Sequence, residues 1–170
     1  MKFHLVDRIE SIEPGRRIVT IKALSLAEEY LADHFPAFPV LPGVLMIEAM
    51  VQSAAWLVRV QQDFARSVVV LRTARNVKYS YFVRPGNVLR CEVTAVEIGA
   101  EAARFKAAGF VGDRQAVSGR LELACFDLAG RNGCGVETDE AIREDLRQRF
   151  LLIGGPEALA AARDAGPSDE

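Results

Sequence analysis

Residues 42–62 read PGVLMIEAMVQSAAWLVRVQQ and predict one long helix. Pro42 and Gly43 suit a first helical turn, most of the following residues favour helix, and no breaker interrupts the segment. The helix is apolar on nearly every side, so other parts of the chain must enclose it, most economically a curved sheet. Because Glu48 interrupts an apolar run shorter than the ~20 residues of a bilayer span, we expect a buried helix and no membrane insertion.

The sheet is predicted by six segments rich in Val, Ile, Phe, Tyr and Thr, at residues 17–24, 68–73, 76–83, 88–98, 103–111 and 115–126. Short turn signals separate most of these segments, and only one helix is predicted among them. Strands joined by short turns pair antiparallel. One central helix and about six antiparallel strands predict an α+β fold.

The C-terminal part differs in composition from residues 1–130, which we expect to form one domain. Within residues 131–170, an acidic turn follows Thr138, and apolar residues then recur at every fourth position up to Phe150. This spacing is typical of an amphipathic helix whose N-terminal acids favour the helix dipole. A shorter helix from Pro156 and a polar tail complete the predicted helical extension.

The overall composition indicates a soluble globular protein of one domain. Of 170 residues, half are hydrophobic and about a quarter are charged, and the net charge is −2. A nucleic-acid-binding protein would usually show a basic excess. The three cysteines lack C-x-x-C spacing, which indicates reduced thiols, no zinc or other metal site, and a cytoplasmic location. The N-terminus lacks the apolar run of a signal peptide.

Basic residues are concentrated in one part of the chain, where Asp63 is the only acid. The bases are Arg59, Arg66, Arg72, Arg75, Lys78, Arg84 and Arg90. One interpretation is a solvent-exposed surface that carries long charged side chains. The other is a local positive field that attracts an anionic partner or a phosphate-bearing ligand.

Glu48 is the single carboxylate in the apolar helix. A carboxyl group without a partner in such surroundings is destabilised as the anion and tends to stay protonated, which makes it a proton donor. Gln52 lies four residues later on the same face and is positioned to hydrogen-bond it. A Glu that reaches solvent, or pairs with an arginine of a strand, is the structural alternative.

His34 precedes the helix in a segment stiffened by Pro36, Pro39 and Pro42. A histidine in a loop is usually a surface residue, but a rigid loop holds an imidazole in one place, as a general base requires. At the helix start, the backbone N–H groups of Gly43 and Val44 have no intrahelical acceptor. They form either an ordinary solvated helix end or a site for a carbonyl oxygen that gains negative charge.

A base (His34), an acid (Glu48) and backbone donors for a carbonyl oxygen are the groups needed to eliminate water from a β-hydroxy carbonyl compound. Their pattern, H-F-P-x-x-P-V-x-P-G-V-L-x-x-E-A-M-x-Q from His34 to Gln52, resembles the active-site signature of the 3-hydroxyacyl-acyl-carrier-protein dehydratases of type II fatty-acid synthesis, the FabZ/FabA group. LVDRI at residues 5–9 and ARNVKYSYFVRPGN at residues 74–87 are similar to further segments of that family. The resemblance covers roughly residues 3–126.

The resemblance implies the hot-dog fold, in which an antiparallel sheet wraps a long central helix. It implies a homodimer, or a trimer of dimers, with each site formed by the histidine of one subunit and the acid of the other. His34 would remove the C2 proton and Glu48 would protonate the departing hydroxyl. The amides of Gly43 and Val44 would polarise the thioester carbonyl, with Gln52 supporting the acid, and no cofactor would be required.

The partner implied is an acidic acyl carrier protein with its phosphopantetheine thioester. Arg72, Arg75, Lys78 and Arg84 are the candidate docking residues for that carrier. A glutamate at position 48 is typical of the FabZ-like branch. A hot-dog acyl-thioesterase and a non-catalytic acyl-thioester-binding protein are the alternatives, although the 14-residue spacing from His34 to Glu48 favours a dehydratase.

Overall fold

The computed structural model describes residues 3–35, 37–131 and 134–164. The elements are β1 (Arg8–Glu13), β2 (Arg17–Ala23), α1 (Tyr30–Asp33), α2 (Gly43–Gln61), β3 (Val68–Tyr79), β4 (Val88–Ile98), β5 (Ala102–Val111), β6 (Arg114–Phe126), α3 (Val136–Leu152) and α4 (Gly155–Asp164). The predicted α+β class is confirmed. The short strand β1 and the single-turn helix α1 were not among the elements expected from periodicity.

The six strands form one antiparallel sheet in the order β1-β2-β4-β5-β6-β3. Strands β2 and β3 lie far apart in this order, so helix α2, which connects them, crosses the inner face of the sheet. This arrangement is the hot-dog fold implied by the resemblance. Among the described residues, strand β3 pairs only with β6 and forms one edge of the sheet.

Strand β3 joins two segments that the sequence predicts as separate strands. The register against β6 shifts between Arg75 and Lys78. Asn76 adopts a positive φ of 53° there. A bulge of this kind bends a strand without ending it, and asparagine tolerates the left-handed conformation better than most residues. The predicted break is therefore an irregularity within one strand.

The core lies between helix α2 and the sheet. Ala49, Met50 and Leu57 of the helix are fully enclosed, as are Leu89 of β4 and Leu123 of β6. Small residues on the helix allow the strands to approach closely. Each enclosed leucine or methionine contributes roughly 1.5–3 kcal/mol from loss of water contact. Helix α2 is therefore stabilised by packing against the sheet. No side chain caps its N-terminus with a hydrogen bond.

By length and composition alone, helix α2 also meets the criteria of a membrane span. However, 56% of the relevant window is buried inside the protein. The core helix of a soluble protein passes the same test, so this single helix is weak evidence for a membrane segment. Its apolar surface has a partner in the sheet.

Helix α3 begins earlier than the sequence predicts. Its N-cap is Gly135, so Thr138 lies within the first turn instead of preceding it. Asp139, which was expected in the acidic first turn, is 1% exposed. It accepts hydrogen bonds from the hydroxyl of Ser67 and from the backbone N–H groups of Leu128 and Ala129, both 2.8 Å. Those bonds draw the turn inward and lower the pKa of Asp139.

The C-terminal helices share the core of the sheet domain. The ring of Phe150 lies 5.9 Å from that of Trp56 and 5.7 Å from that of Phe64, between centroids. The carbonyl of Ile153 accepts a 2.8 Å hydrogen bond from the backbone N–H of Ile9. Helix α4 starts at Gly155, one residue before the expected Pro156, and packs beside β1.

Candidate active site

His34 lies at the edge of a cleft of about 460 Å³. Apolar side chains of the segment before α2 and of its first turns line the cleft, together with aromatic residues at and beyond the end of β3. The lining residues are His34, Phe35, Val40, Leu41, Gly43, Met46, Tyr79, Ser80, Tyr81 and Phe82. An apolar cleft with a few polar groups suits an elongated acyl group with one reactive end.

The loop that carries His34 is held by short-range contacts. His34 caps the C-terminus of α1, and its ring packs edge-on against Phe35 with centroids 4.6 Å apart. Phe35 has a positive φ of 51°, an uncommon conformation for a side-chain-bearing residue. The N–H of Phe38 donates to the carbonyl of Phe35 at 2.7 Å. Pro36, one of the prolines expected to stiffen the loop, lies outside the described residues.

A second anchor of this loop was missed by the sequence analysis. Lys22 of β2 is buried and donates to Glu28 at 2.7 Å and to Asp7 at 3.4 Å. Burial raises the pKa of Tyr30, as do the nearby Glu28 and Asp7, so its phenol stays neutral. These residues fix the segment that leads through α1 to His34. The available signal was the inward position of Lys22 in the alternation that begins at Ile18.

The start of helix α2 presents free backbone donors. The N–H groups of Leu45 and Met46 both donate to the carbonyl of Pro42, at 2.9 and 3.1 Å. Within the described ranges, no acceptor is found for the N–H groups of Gly43 and Val44. A Cβ on residue 43 would lie 2.9 Å from the ring of Tyr79, so only glycine fits here without a shift.

Glu48 is half-buried and bound by the expected neighbour. The side-chain amide of Gln52 donates to Glu48 Oε1 at 3.0 Å and to the carbonyl of Phe3 at 2.9 Å. Gln52 Oε1 accepts the N–H of Leu5 at 2.9 Å. Among the described residues, no base forms an ion pair with Glu48. The N-terminal segment therefore holds Gln52, and Gln52 orients the acid.

One chain does not bring His34 and Glu48 into the same cleft. Glu48 is absent from the described lining of the cleft that contains His34 and Gly43. Glu48 lies five positions after Gly43, which places the two residues about 140° apart around a helix with 3.6 residues per turn. Val44, Glu48 and Gln52 instead form a stripe that leaves Val44 70% exposed. In the described chain, His34 and Gly43 therefore line the cleft, and Glu48 does not.

The predicted basic run does not form one surface. The guanidinium of Arg59 lies over Trp56, and burial lowers its pKa to about 10. Arg66 and Arg90 form ion pairs with acids of other elements. Arg72 lies 3.6 Å from a carboxylate of β6. These four charges are enclosed or compensated, so the run contributes fewer free cations than its sequence indicates.

Three bases of the run are both exposed and without an ion pair among the described residues. Arg75 and Lys78 have no acid within ion-pair distance among the described residues. Arg84 stacks on Phe38 with its guanidinium carbon 4.6 Å from the ring centroid. Phe38 in turn packs edge-on against Phe82 of the cleft, with centroids 5.7 Å apart. Of the candidate docking residues, Arg84 is thus tied to the wall of the cleft.

No group of three or more His, Cys, Asp or Glu side chains in the described part of the chain is arranged to hold a metal ion. The cysteines are unpaired there as well, and Cys91 and Cys125 are buried. Burial raises the pKa of Cys91 to about 12, although hydrogen bonds to Ser53 and Thr20 oppose this shift.

Comparison with known proteins places residues 1–120 in the FabA-like domain family. A 3-hydroxyacyl-[acyl-carrier-protein] dehydratase FabZ of Clostridium kluyveri is 34% identical over 125 residues, which cover 74% of this chain and 87% of that protein. The protein of the same name from Pelotomaculum thermopropionicum is 38% identical over 122 residues, which cover 72% of this chain and 87% of that protein.

A solved structure with the same fold is that of the dehydratase heterocomplex ApeI:P from Xenorhabdus doucetiae. It matches with a TM-score of 0.61 at 19% identity and covers 72% of this chain and 82% of that chain. At this identity the likeness shows the fold alone. The family match over 120 of 170 residues and the identity to FabZ proteins over most of their length show that the chain belongs to the FabA-like family and, within it, to the FabZ type.

Proposed function

We propose that this protein is a hydro-lyase that dehydrates 3-hydroxyacyl thioesters, carried on acyl carrier protein, to trans-2-enoyl thioesters. The pathway proposed is fatty-acid biosynthesis or a related lipid or polyketide pathway in the cytoplasm. The observation that carries the proposal is the pairing of Gln52 with Glu48, on the same helix whose first amides are unoccupied, in a chain of the FabZ type.

The proposed reaction assigns one step to each element of the site. His34 removes the C2 proton as general base, and the carbonyl oxygen gains negative charge as the enolate forms. The N–H groups of Gly43 and Val44 stabilise that charge, for which one oxyanion donor is typically worth about 10²–10³ in rate. Glu48 then donates a proton to the departing hydroxyl, which leaves as water. Gln52 holds the carboxyl group toward the substrate.

The reaction requires a second subunit, because one chain separates His34 from Glu48. We propose a homodimer, or a trimer of such dimers, in which the acid of one subunit meets the histidine of the other. The free edge of β3 supports this assembly, as it is 12 residues long and exposes Val70 and Leu71. An open edge with exposed apolar side chains readily pairs with another strand. The exposed Val44 lies on the same helix face as Glu48 and supports contact there.

Residues 1–130 form the proposed dehydratase domain, and residues 131–170 are proposed as its C-terminal extension. The family match ends at residue 120, which supports a boundary near the end of β6. The extension contributes to folding through Phe150 and Ile153 rather than to the chemistry, since neither residue lines the His34 cleft.

A spectrophotometric assay tests the proposal. Purified protein is incubated with a short and a medium 3-hydroxyacyl thioester, and the absorbance of the enoyl thioester is followed together with free thiol. We expect enoyl formation without thiol release. Glu48→Gln and His34→Ala are expected to abolish activity with unchanged thermal unfolding, and mixing the two inactive variants should restore part of it by forming mixed dimers.

The same assay separates the alternatives. Release of thiol without enoyl formation would indicate an acyl-thioesterase. Thioester binding without turnover of any substrate would indicate a non-catalytic acyl-binding protein. Failure of the mixed variants to regain activity, despite subunit exchange, would contradict the shared site.

A further inference from the structure

The N-terminal segment, by which we mean Phe3, His4 and Leu5, holds the partner of the proposed acid. The carbonyl of Phe3 accepts a hydrogen bond from the side-chain amide of Gln52 at 2.9 Å. The N–H of Leu5 donates to Gln52 Oε1, also at 2.9 Å. The same amide nitrogen of Gln52 donates to Glu48 Oε1 at 3.0 Å. Gln52 is therefore the link between this segment and the acid.

The orientation of Gln52 is fixed by these three hydrogen bonds. A glutamine side chain offers an NH₂ donor and a carbonyl acceptor, and both are used here. Its amide group has one favourable orientation, because after a flip the oxygen would face the carbonyl of Phe3 and the carboxyl group of Glu48. A displacement of the N-terminal segment therefore moves Gln52 and, with it, the hydrogen bond to Glu48.

The C-terminal extension contacts the same part of the chain. Arg149, in the last turn of α3, lies with Nη1 2.7 Å from Nε2 of His4. A guanidinium group only donates, so Nε2 of His4 accepts this hydrogen bond. Four residues later, the carbonyl of Ile153 accepts the N–H of Ile9 at 2.8 Å. The end of α3 thus holds the chain at residues 4 and 9, before and after the buried Leu5.

The N-terminal segment has few other supports. Residues 3–6 belong to no strand, and Phe3 and His4 are exposed. Among the described residues, the first backbone N–H that donates to the sheet is that of Asp7, at 2.8 Å from the carbonyl of Ile21. Chain ends are poorly ordered unless other parts of the protein hold them. The contacts with α3 therefore restrict the segment that fixes Gln52.

We propose that the C-terminal extension positions the catalytic acid, with Arg149 as a positioning residue that acts on Glu48 through the N-terminal segment and Gln52. This inference rests on the proposed function. No residue of the extension is among the described lining of the His34 cleft, so its effect is on position rather than on chemistry. The alternative is an extension that only adds stability by packing on the core.

The N-terminal segment also contacts the part of the chain that leads to the histidine. The ring of Phe3 lies 6.2 Å from that of Tyr30, between centroids. Tyr30 begins α1, whose C-terminus is capped by His34. A displaced segment thus has two routes to the active site, one through Gln52 and one through Tyr30. The proposal assigns the main effect to Gln52, whose hydrogen bonds are direct.

Steady-state kinetics with a small substrate test the role of Arg149. The 3-hydroxyacyl group is offered on N-acetylcysteamine, so that binding of a carrier protein does not contribute. In Arg149→Ala, we expect kcat to fall about fivefold while KM stays within about twofold, because misplacing a reacting group slows the chemical step more than it weakens binding. Arg149→Lys keeps a donor and should retain about half of the kcat or more.

Thermal unfolding and a matched control exclude a general loss of structure. Because the contact between Arg149 and His4 is exposed, Arg149→Ala should change Tm by less than about 2 °C. Arg163→Ala removes the same charge from the exposed end of α4 and should leave kcat, KM and Tm unchanged.

A double-mutant cycle identifies the route. In a protein that already carries Gln52→Leu, the link to Glu48 is broken, so Arg149→Ala should lower kcat by less than a further factor of about two. A route through Tyr30 and the histidine loop would leave the full effect of Arg149→Ala in place.

Hydrogen exchange reports on the N-terminal segment without turnover. The amide of Leu5 is bonded to Gln52, and opening of the segment exposes it to exchange. In Arg149→Ala we expect this amide to exchange at least about threefold faster than in the unmodified protein, as residue-resolved NMR would show. Arg163→Ala should exchange at the unmodified rate.

Three results would overturn the proposal: an unchanged kcat in Arg149→Ala, an equal fall in Arg163→Ala, or an undiminished effect in the Gln52→Leu background. A large fall in Tm with normal turnover by the folded fraction would reduce the extension to a stabilising element and would overturn it too. Absence of dehydration by the unmodified protein would instead refute the proposed function. The exchange rate of Leu5 would then still decide whether Arg149 holds the N-terminal segment.

Discussion

Replacement of Phe150 by alanine tests whether helix α3 is part of the core. Phe150 is 7% exposed and packs against Trp56 and Phe64, with ring centroids 5.9 and 5.7 Å away. Truncating a buried phenylalanine usually costs 3–5 kcal/mol. Because this ring lies at the edge of the core, where neighbours can relax into the space, we expect a loss of about 3 kcal/mol. For a chain of this size that corresponds to a fall in Tm of roughly 6–12 °C.

The matched control is Leu152→Ala, two residues further along the same helix. Leu152 is 85% exposed, and alanine is at least as good a helix former as leucine. Its substitution should change the free energy of unfolding by less than about 0.5 kcal/mol. Both variants are measured by thermal and urea unfolding at one protein concentration, since assembly makes Tm depend on concentration.

The fluorescence of Trp56 supplies a local signal, because it is the only tryptophan of the chain. Removing the neighbouring ring should change its emission in Phe150→Ala and leave it unchanged in Leu152→Ala. Equal, small stability losses in both variants, with unaltered emission, would refute the packing of α3 on the core.

Three further predictions concern the site, acid stability and thiol chemistry. Gln52→Leu removes the hydrogen bond to Glu48, so kcat should fall about tenfold or more with little change in KM, as steady-state kinetics would show. Although partial burial would raise the pKa of Asp127, hydrogen bonds from two arginines and a backbone N–H lower it to about 2. Its contribution to stability, about 2 kcal/mol, is therefore nearly complete above about pH 5 and lost as pH falls toward 2, and acid unfolding of Asp127→Asn should lack this dependence. Iodoacetamide at pH 8 should modify the partly exposed Cys134 well before Cys91, whose pKa burial raises to about 12, and mass spectrometry identifies the modified residue.

The central helix could be predicted from the sequence almost to the residue. The expected span of residues 42–62 compares with Gly43–Gln61 in the structure. Local propensity, a proline at the start and the absence of breakers decide such a helix, and all three are visible in sequence. The strands from β4 to β6 were located within one residue because β-branched and aromatic residues fill them and short turn signals separate them.

Elements that depend on distant contacts were predicted less well. The start of α3 was misplaced because the hydrogen bonds that draw Asp139 inward come from Ser67 and from the end of β6. The apparent break in β3 is a bulge kept in the sheet by its pairing with β6. In both cases, the residues that determine the structure of the segment lie far away in the chain. The periodicity of the segment itself therefore does not indicate it.

The candidate site likewise has features that the sequence indicates and features that only the tertiary structure shows. The identities and spacing of His34, Glu48 and Gln52 were readable, as was the bond between the last two, because residues four apart on a helix must be neighbours. The alternation of β2 could have indicated that Lys22 points inward, but its partners Glu28 and Asp7 could not be inferred from local pattern. That Glu48 does not line the His34 cleft of its own chain agrees with the shared site that the family resemblance implies, but local pattern alone does not indicate it.

The sequence by itself determined the central helix, most of the strands and the chemical groups that one active site requires. Only the tertiary structure decided which charges meet: it buried Arg59, compensated Arg72 and aligned Arg75, Arg120 and Lys106 across three strands. The physical reason is that helix formation depends on neighbouring residues, whereas burial and charge pairing depend on how distant strands are placed side by side.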